Sequence, residues 1–256
     1  MARRRPLPVG EAPATGQVSG GLLYAVRHAQ VAQRPEIPPE SWTLSEEGRL
    51  SARRLAASVP WEAVTCIHHS PERKAAETAA IIGGVLGVPC RAAAGLRELR
   101  MDVGFLPAAA FESRVSAFLE GGPDAAFQDY GQARRRILDC VCEIVRRAGG
   151  GGSVIVSHGR ILTVLFSAMC GQRLGGAEWR SIGLPDCALV DLDAGRVVRG
   201  FFAGRAVDAR ALVGPGGGVG GRVTPAARGG AAWEEEPPPC GGWRDAPAGV
   251  FGGRAP

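Results

Sequence analysis

The chain is 256 residues long, 45% hydrophobic, with 38 glycines, 19 prolines and a net charge of +5. That is enough apolar material for a packed core in one large domain or two small ones, while no apolar run approaches the roughly 18 residues needed to span a membrane. Arginines interspersed with acids, and only 6% aromatic residues, read as a solvated basic surface without the stacking platforms of a nucleic-acid binder.

Along the chain, Met1 to Gly20 carries Arg3-Arg4-Arg5 and then Pro, Gly, Ala and Ser without apolar periodicity. It lacks the apolar stretch of a secretory signal and is expected to be a disordered basic arm, which points to a cytoplasmic protein. Leu22 to Val26 reads as a buried strand, followed by a Pro-rich loop (Pro35, Pro38, Pro39). A helix is expected from about Ser45 to Val59 with Ser45 as N-cap. Val64 to Ile67 is the second strand, and it leads into His68-His69-Ser70-Pro71. The next helix, about Arg73 to Leu86, is expected to bury Thr78, Ile81, Ile82, Val85 and Leu86 on one face, and Gly87-Val88-Pro89 stops it. A short third strand follows near Cys90 to Ala94.

Leu99 to Tyr130 is the least regular part and is expected to form a small lid. A long helix from Gly131 to Ala148 carries Ala133, Ile137, Val141, Ile144 and Val145 at helical spacing. Ser153 to Val156 is the fourth strand. Ile161 to Cys170 is apolar nearly all round, as in a helix packed inside a layered fold. Ala188 to Leu192 and Val197 to Phe202 bracket Asp193-Ala194-Gly195 as a terminal hairpin. From residue 205 to 256 the Gly- and Pro-rich composition predicts a disordered tail. The alternation over 21–204 predicts one α/β domain, a three-layer αβα sandwich around a mostly parallel sheet. The seven cysteines include no C-x-x-C pair and read as reduced thiols, neither a disulfide framework nor a zinc site.

Two histidine turns carry the chemistry: Arg27-His28-Ala29 and Ser157-His158-Gly159, each directly after a strand. The carboxyl ends of parallel strands are where open α/β sheets place their ligands. Two histidines there, one with an arginine beside it, make a cationic pocket suited to a phosphoryl group. His68 and His69 have no such context, and a metal site from that pair alone is not expected.

Read in order, Val26-Arg27-His28-Ala29-Gln30, Leu44-Ser45-Glu46-Glu47-Gly48, Ser70 to Ala79, Leu96-Arg97-Glu98 and Val156-Ser157-His158-Gly159 resemble the histidine phosphatase superfamily, the phosphoglycerate-mutase-like proteins. The resemblance covers roughly Leu22 to Phe202. It implies that His28 is the nucleophile, passing through a phosphohistidine, and that Glu98 donates the proton to the leaving group. It also implies that His158 binds the phosphoryl group as a cation, beside Arg27 and the Gly159 backbone N–H. No metal or other cofactor is implied. In the Ser-Pro motif, aligning Ala75, Thr78 and Ala79 puts Lys74, the only lysine of the chain, in the slot the family fills with arginine. Lys74 is therefore expected to contact the phosphoryl group as a point charge, with Arg73 as the alternative. Glu98 is expected to have a raised pKa if it is to donate a proton, although the flanking Arg97 and Arg100 would act the other way.

Val31 and Arg34 replace the Thr and Asn that often follow the first motif, and the segment after Leu99 is short for a mutase. The expected activity is a metal-independent phosphatase of small phosphomonoesters. A phosphoglycerate-type mutase and a phosphate-binding pseudoenzyme are the alternatives. Gly104-Phe105-Leu106-Pro107 is expected to line the entrance and to favour a partly apolar leaving group.

Overall fold

A computed structural model describes residues 21–212; the expectations for 1–20 and 213–256 lie outside the described residues. A sheet of six strands runs through the molecule in the order β3-β2-β4-β1-β5-β6. β1 (Leu22–Arg27), β2 (Val64–His69), β3 (Cys90–Ala92) and β4 (Gly152–Ser157) are parallel to one another. β5 (Asp186–Asp191) and β6 (Arg196–Arg199) are antiparallel and form the terminal hairpin. The sheet is therefore mixed, with its parallel part at the end that carries the two histidine turns.

Alternation along the strands sorts the core into two layers. Leu23 and Ala25 of β1 and Ile155 of β4 face one side. There they meet α3 (Ala108–Leu119), α4 (Tyr130–Ala148), α5 (Gly159–Met169) and α6 (Gly176–Ser181). Tyr24, Val26, Val154 and Val156 face the other, against α1 (Glu46–Ser58) and α2 (Arg73–Leu86). These two faces make the α/β sandwich that the sequence alternation predicts. α5 buries ten of its eleven residues, in keeping with its unbroken apolar sequence.

Local signals explain the helix ends. Ser45 caps α1, its hydroxyl accepting the Gly48 N–H at 3.0 Å, and Gly87 ends α2 in the left-handed conformation with φ +69°. The Gln30 carbonyl lies on the first turn of α1, accepting the Ser45 N–H at 3.0 Å. A Cβ on Gly48 would stand 2.0 Å from that carbonyl oxygen. Exposed helix glycines gain about 1 kcal/mol on replacement by alanine. Gly48→Ala should instead lose about 2 kcal/mol in urea denaturation, because overpacking against backbone cannot relax.

Three expectations are corrected. The buried stripe of α2 is Ala75, Thr78, Ala79 and Ile82, with Lys74 and Gly83, while Val85 is exposed. Small residues let α2 approach the sheet closely, so the stripe follows Ala75 and Ala79 rather than the largest side chains. The Leu99 to Tyr130 segment is no simple lid, because α3 buries Val115, Phe118 and Leu119 in the core and Phe118 stacks on Phe127 at 4.2 Å. The folded body also continues past Gly204: Val207 and Leu212 are buried, and Arg196 bridges to Ala206. Among the described residues no cysteine is in a disulfide, and no helix is long and apolar enough to cross a membrane.

Candidate active site

Register places the site. β1 and β4 pair Arg27 with Ser157, so His28 and His158 are the next residues out of adjacent parallel strands. The His28 N–H donates to the Ser157 carbonyl at 3.0 Å, and the Ser70 N–H donates to the Val156 carbonyl at 2.9 Å. His28, His158 and Ser70 thus stand side by side at the carboxyl edge, with the histidine rings 5.1 Å apart.

The two imidazoles are held by different partners. His28 Nδ1 lies 2.8 Å from the Ala29 carbonyl oxygen, a contact only an N–H can make, so Nδ1 carries the hydrogen. Burial, reinforced by His158, Lys74 and Arg27, holds His28 well below its ordinary pKa of 6.5. The ring is neutral, and its Nε2 lone pair is the one left to react. The turn is fixed from behind: Thr78 Oγ1 accepts the Ala29 N–H at 3.1 Å and donates to the Lys74 carbonyl at 2.8 Å.

His158 Nε2 meets Ser70 Oγ at 2.8 Å. Ser70 Oγ also accepts the Glu72 N–H at 3.3 Å, and among the described residues the acceptor within reach of its own hydrogen is His158 Nε2. That leaves the ring hydrogen on Nδ1, which is buried and has no partner. Arg27 Nε is a second buried donor without a partner, while its Nη1 donates to the Ile182 carbonyl. Buried polar groups are nearly always paired. Arg27 Nε and His158 Nδ1 are thus two unpaired N–H donors on neighbouring strand ends.

Burial lowers the His158 pKa to about 3, with Lys74, Arg160 and Arg27 acting in the same direction and Glu98 opposing. Burial thus favours the neutral ring in the free protein; the cation that the resemblance implies is one with a phosphoryl group bound. Below pH 6.5 the unfolded chain takes up a proton that the folded ring refuses until about 3. Stability is therefore lost as pH falls through that window. Unfolding free energies measured from pH 7 to 4 should decline, and His158→Gln should make the decline shallower.

The predicted phosphate ligands gather around these donors. Lys74 is buried and its Nζ donates to Glu72 Oε2 and to the Pro39 carbonyl, both at 2.8 Å. Arg73 points outward and pairs with Glu77 at 3.2 Å, with 62% of its side chain exposed, so of the two it is Lys74 that faces the histidines. Gly159 is the first residue of α5, where the opening N–H groups lack intrahelical acceptors. A Cβ there would lie 3.0 Å from the Arg27 guanidinium and from the Trp179 indole nitrogen, so only glycine lets both approach.

Glu98 differs from expectation. Its Oε1 accepts the Leu99 N–H at 2.8 Å and the Ile161 N–H at 2.9 Å, while Oε2 pairs with Arg160 at 3.1 Å. Burial pushes its pKa up, but Arg160, His158 and the two backbone donors outweigh burial and bring it down to about 2. The arginine responsible is Arg160; Arg97 and Arg100 are exposed.

Sequence reading missed Ser70, Glu72 and Arg160 as site members. Glu72 is buried; its Oε1 accepts the Glu98 N–H at 2.8 Å and lies 3.5 Å from His158 Nε2. Arg160 directly follows the second motif and lies over the Phe111 ring at 5.5 Å. Phe111 in turn meets Trp179 edge-on at 5.9 Å. His68 and His69 end β2, and His69 Nδ1 bonds the Ser70 carbonyl at 2.8 Å. Among the described residues no group of three or more His, Cys, Asp or Glu side chains is placed to hold a metal ion.

These features define an α/β protein with two buried histidines side by side at the carboxyl edge of its parallel strands. The chain belongs to the histidine phosphatase superfamily (branch 1), whose sequence profile matches residues 23–198. No curated protein matches it in sequence. Among solved structures it is similar to a mutant phosphoserine phosphatase from Entamoeba histolytica in complex with phosphoserine. That match has a TM-score of 0.56 and 14% identity, covering 71% of this chain and 96% of the other. It is also similar to a phosphoglycerate mutase from Bacillus anthracis, with TM-score 0.51, 15% identity and coverage of 77% and 97%. A mycobacterial glucosyl-3-phosphoglycerate phosphatase matches with TM-score 0.50, 21% identity and coverage of 66% and 89%. At these identities the likeness is one of fold.

Proposed function

We propose that this chain is a phosphatase of small phosphomonoesters, working through a phosphohistidine on His28 and without a metal ion. The observation that carries this reading is the pair of unpartnered buried donors, Arg27 Nε and His158 Nδ1, beside a neutral His28 whose ring lies 5.1 Å from that of His158. In this reading Nε2 attacks phosphorus in line, the bond from phosphorus to the ester oxygen breaks, and water later hydrolyses the phosphohistidine. Arg27, Lys74, His158 and the Gly159 N–H meet the charge spreading over the phosphoryl oxygens.

Glu98 hands a proton to the leaving oxygen. Because the free carboxylate is held ionised, that proton arrives with the substrate, carried by a phosphate monoanion. A phosphoryl group seated beside Glu98 also raises the carboxylate's own proton affinity, as neighbouring like charges do. Phe111 and Trp179, packed beside Arg160 and Gly159, favour a leaving group with an apolar part.

Inorganic phosphate release from a panel of phosphomonoesters in EDTA tests the reading. Turnover in EDTA is expected. Loss of activity to EDTA, or transfer of phosphate between two positions of one sugar acid without release, would sink it, the latter in favour of a mutase.

A further inference from the structure

Glu72 touches Lys74, the Glu98 backbone and the ring of His158, yet the phosphatase reading gives it no task. It occupies the variable place between Ser70-Pro71 and Lys74. Its side chain is 9% exposed and both oxygens are engaged. Oε2 accepts from Lys74 Nζ at 2.8 Å. Oε1 accepts the backbone N–H of Glu98 at 2.8 Å and stands 3.5 Å from His158 Nε2. A buried carboxylate is costly unless every lone pair is used, and here the partners are the predicted phosphate cation, the backbone of the predicted acid and the ring of the second histidine.

His158 is the partner with something to gain. Its Nδ1–H faces the oxyanion seat and its Nε2 accepts from Ser70. The groups around the ring are His28, Glu72, Glu98, Lys74, Arg160 and Arg27. Three of them are cations and oppose a second proton. A phosphoryl dianion seated on Nδ1–H favours one. A proton taken from solvent at Nε2 would then have two acceptors, Ser70 Oγ at 2.8 Å and Glu72 Oε1 at 3.5 Å.

We propose that Glu72 is the positioning carboxylate of the phosphoryl site, fixing Lys74 and standing behind His158 as the counter-ion that lets the ring become imidazolium when a tetrahedral dianion binds. This rests on the oxyanion reading of the site. In the free protein the arrangement keeps His158 neutral; with the anion bound, the cation that the sequence anticipates is formed on demand.

Sulfate binding, followed by calorimetry from pH 4.5 to 8.5, tests the proposal, because sulfate is a tetrahedral dianion that does not itself titrate in this range. In the wild type, affinity should rise as pH falls below a knee set by His158 in the complex. In Glu72→Gln that knee should move down by about one pH unit, weakening binding about fivefold one unit below the wild-type knee and approaching tenfold further down. Should Glu72→Gln fail to fold, Glu72→Leu with Lys74→Met removes the ion pair and keeps the volume; its reference is then Lys74→Met alone, below whose knee its own should lie by about one pH unit. Coincident knees in wild type and variant, or wild-type affinity independent of pH, overturn the role of Glu72. A folded wild type that binds no sulfate at any pH overturns the oxyanion site and this proposal with it.

Discussion

Replacing His28 by alanine should lower phosphate release at least about 10⁴-fold, because no other group in the pocket can take over the covalent step. Removal of a nucleophile that acts as part of a unit typically costs this much or more. On the proposed reading the effect falls on kcat, since Arg27, Lys74 and His158 are left in place. His28→Ala should also keep its fold: the residue follows β1, and the backbone bond to Ser157 and the Thr78 bond to the Ala29 N–H do not involve the imidazole. A variant that folds, still binds inorganic phosphate and retains more than about a tenth of the activity would exclude His28 as nucleophile.

Lys74 and Arg73 form the second contrast. Lys74→Met keeps the stem in its buried slot and removes the charge. It should reduce kcat/KM about 10²- to 10³-fold, the scale of losing one positioned donor to a developing oxyanion. Arg73→Ala removes an exposed pairing with Glu77, worth no more than about 0.5 kcal/mol, and should leave turnover within about threefold. Both Lys74→Met and Lys74→Ala leave the Glu72 carboxylate without its cation, at a cost of about 3–5 kcal/mol in stability; Lys74→Ala is the poorer probe because it also empties the buried slot of the stem. Equal losses from Lys74→Met and Arg73→Ala would show that the lysine slot has no special part in the reaction.

Much of this architecture was legible in the sequence because local chemistry decides it. Ser45 and Gly87 mark helix ends through capping and a positive φ, and the α4 stripe from Ala133 to Val145 is buried as its spacing predicts. The two histidine turns were legible for the same reason: each directly follows a short apolar run. What escaped the sequence was decided between segments. α3 was hidden because Phe111, Val115, Phe118 and Leu119 are spaced for a helix but sit among glycines, prolines and charges that suggest a loop. The environment of Glu98 was misjudged because its charge partner, Arg160, comes from the far side of the second motif, and one of its two backbone donors, the Ile161 N–H, comes from the start of α5. Glu72 was passed over because nothing near it in sequence announces that Lys74, His158 and the Glu98 N–H converge on it.

The strand order has a consequence for how the chain reaches this state. β1 lies between β4 and β5, pairing Leu23 with Ser153 and Leu22 with Asp191, so the first strand made has no neighbour until most of the domain exists. On a ribosome, His28 emerges early and then waits, attached to an unpaired apolar strand, for His158 to follow. Such long-range pairings must close large loops before any contact rewards them, and they slow folding. The oxyanion seat is assembled from both ends of that closure. A tetrahedral anion present during refolding would therefore bind only after the centre of the sheet has zipped, holding the finished state without speeding the search for it.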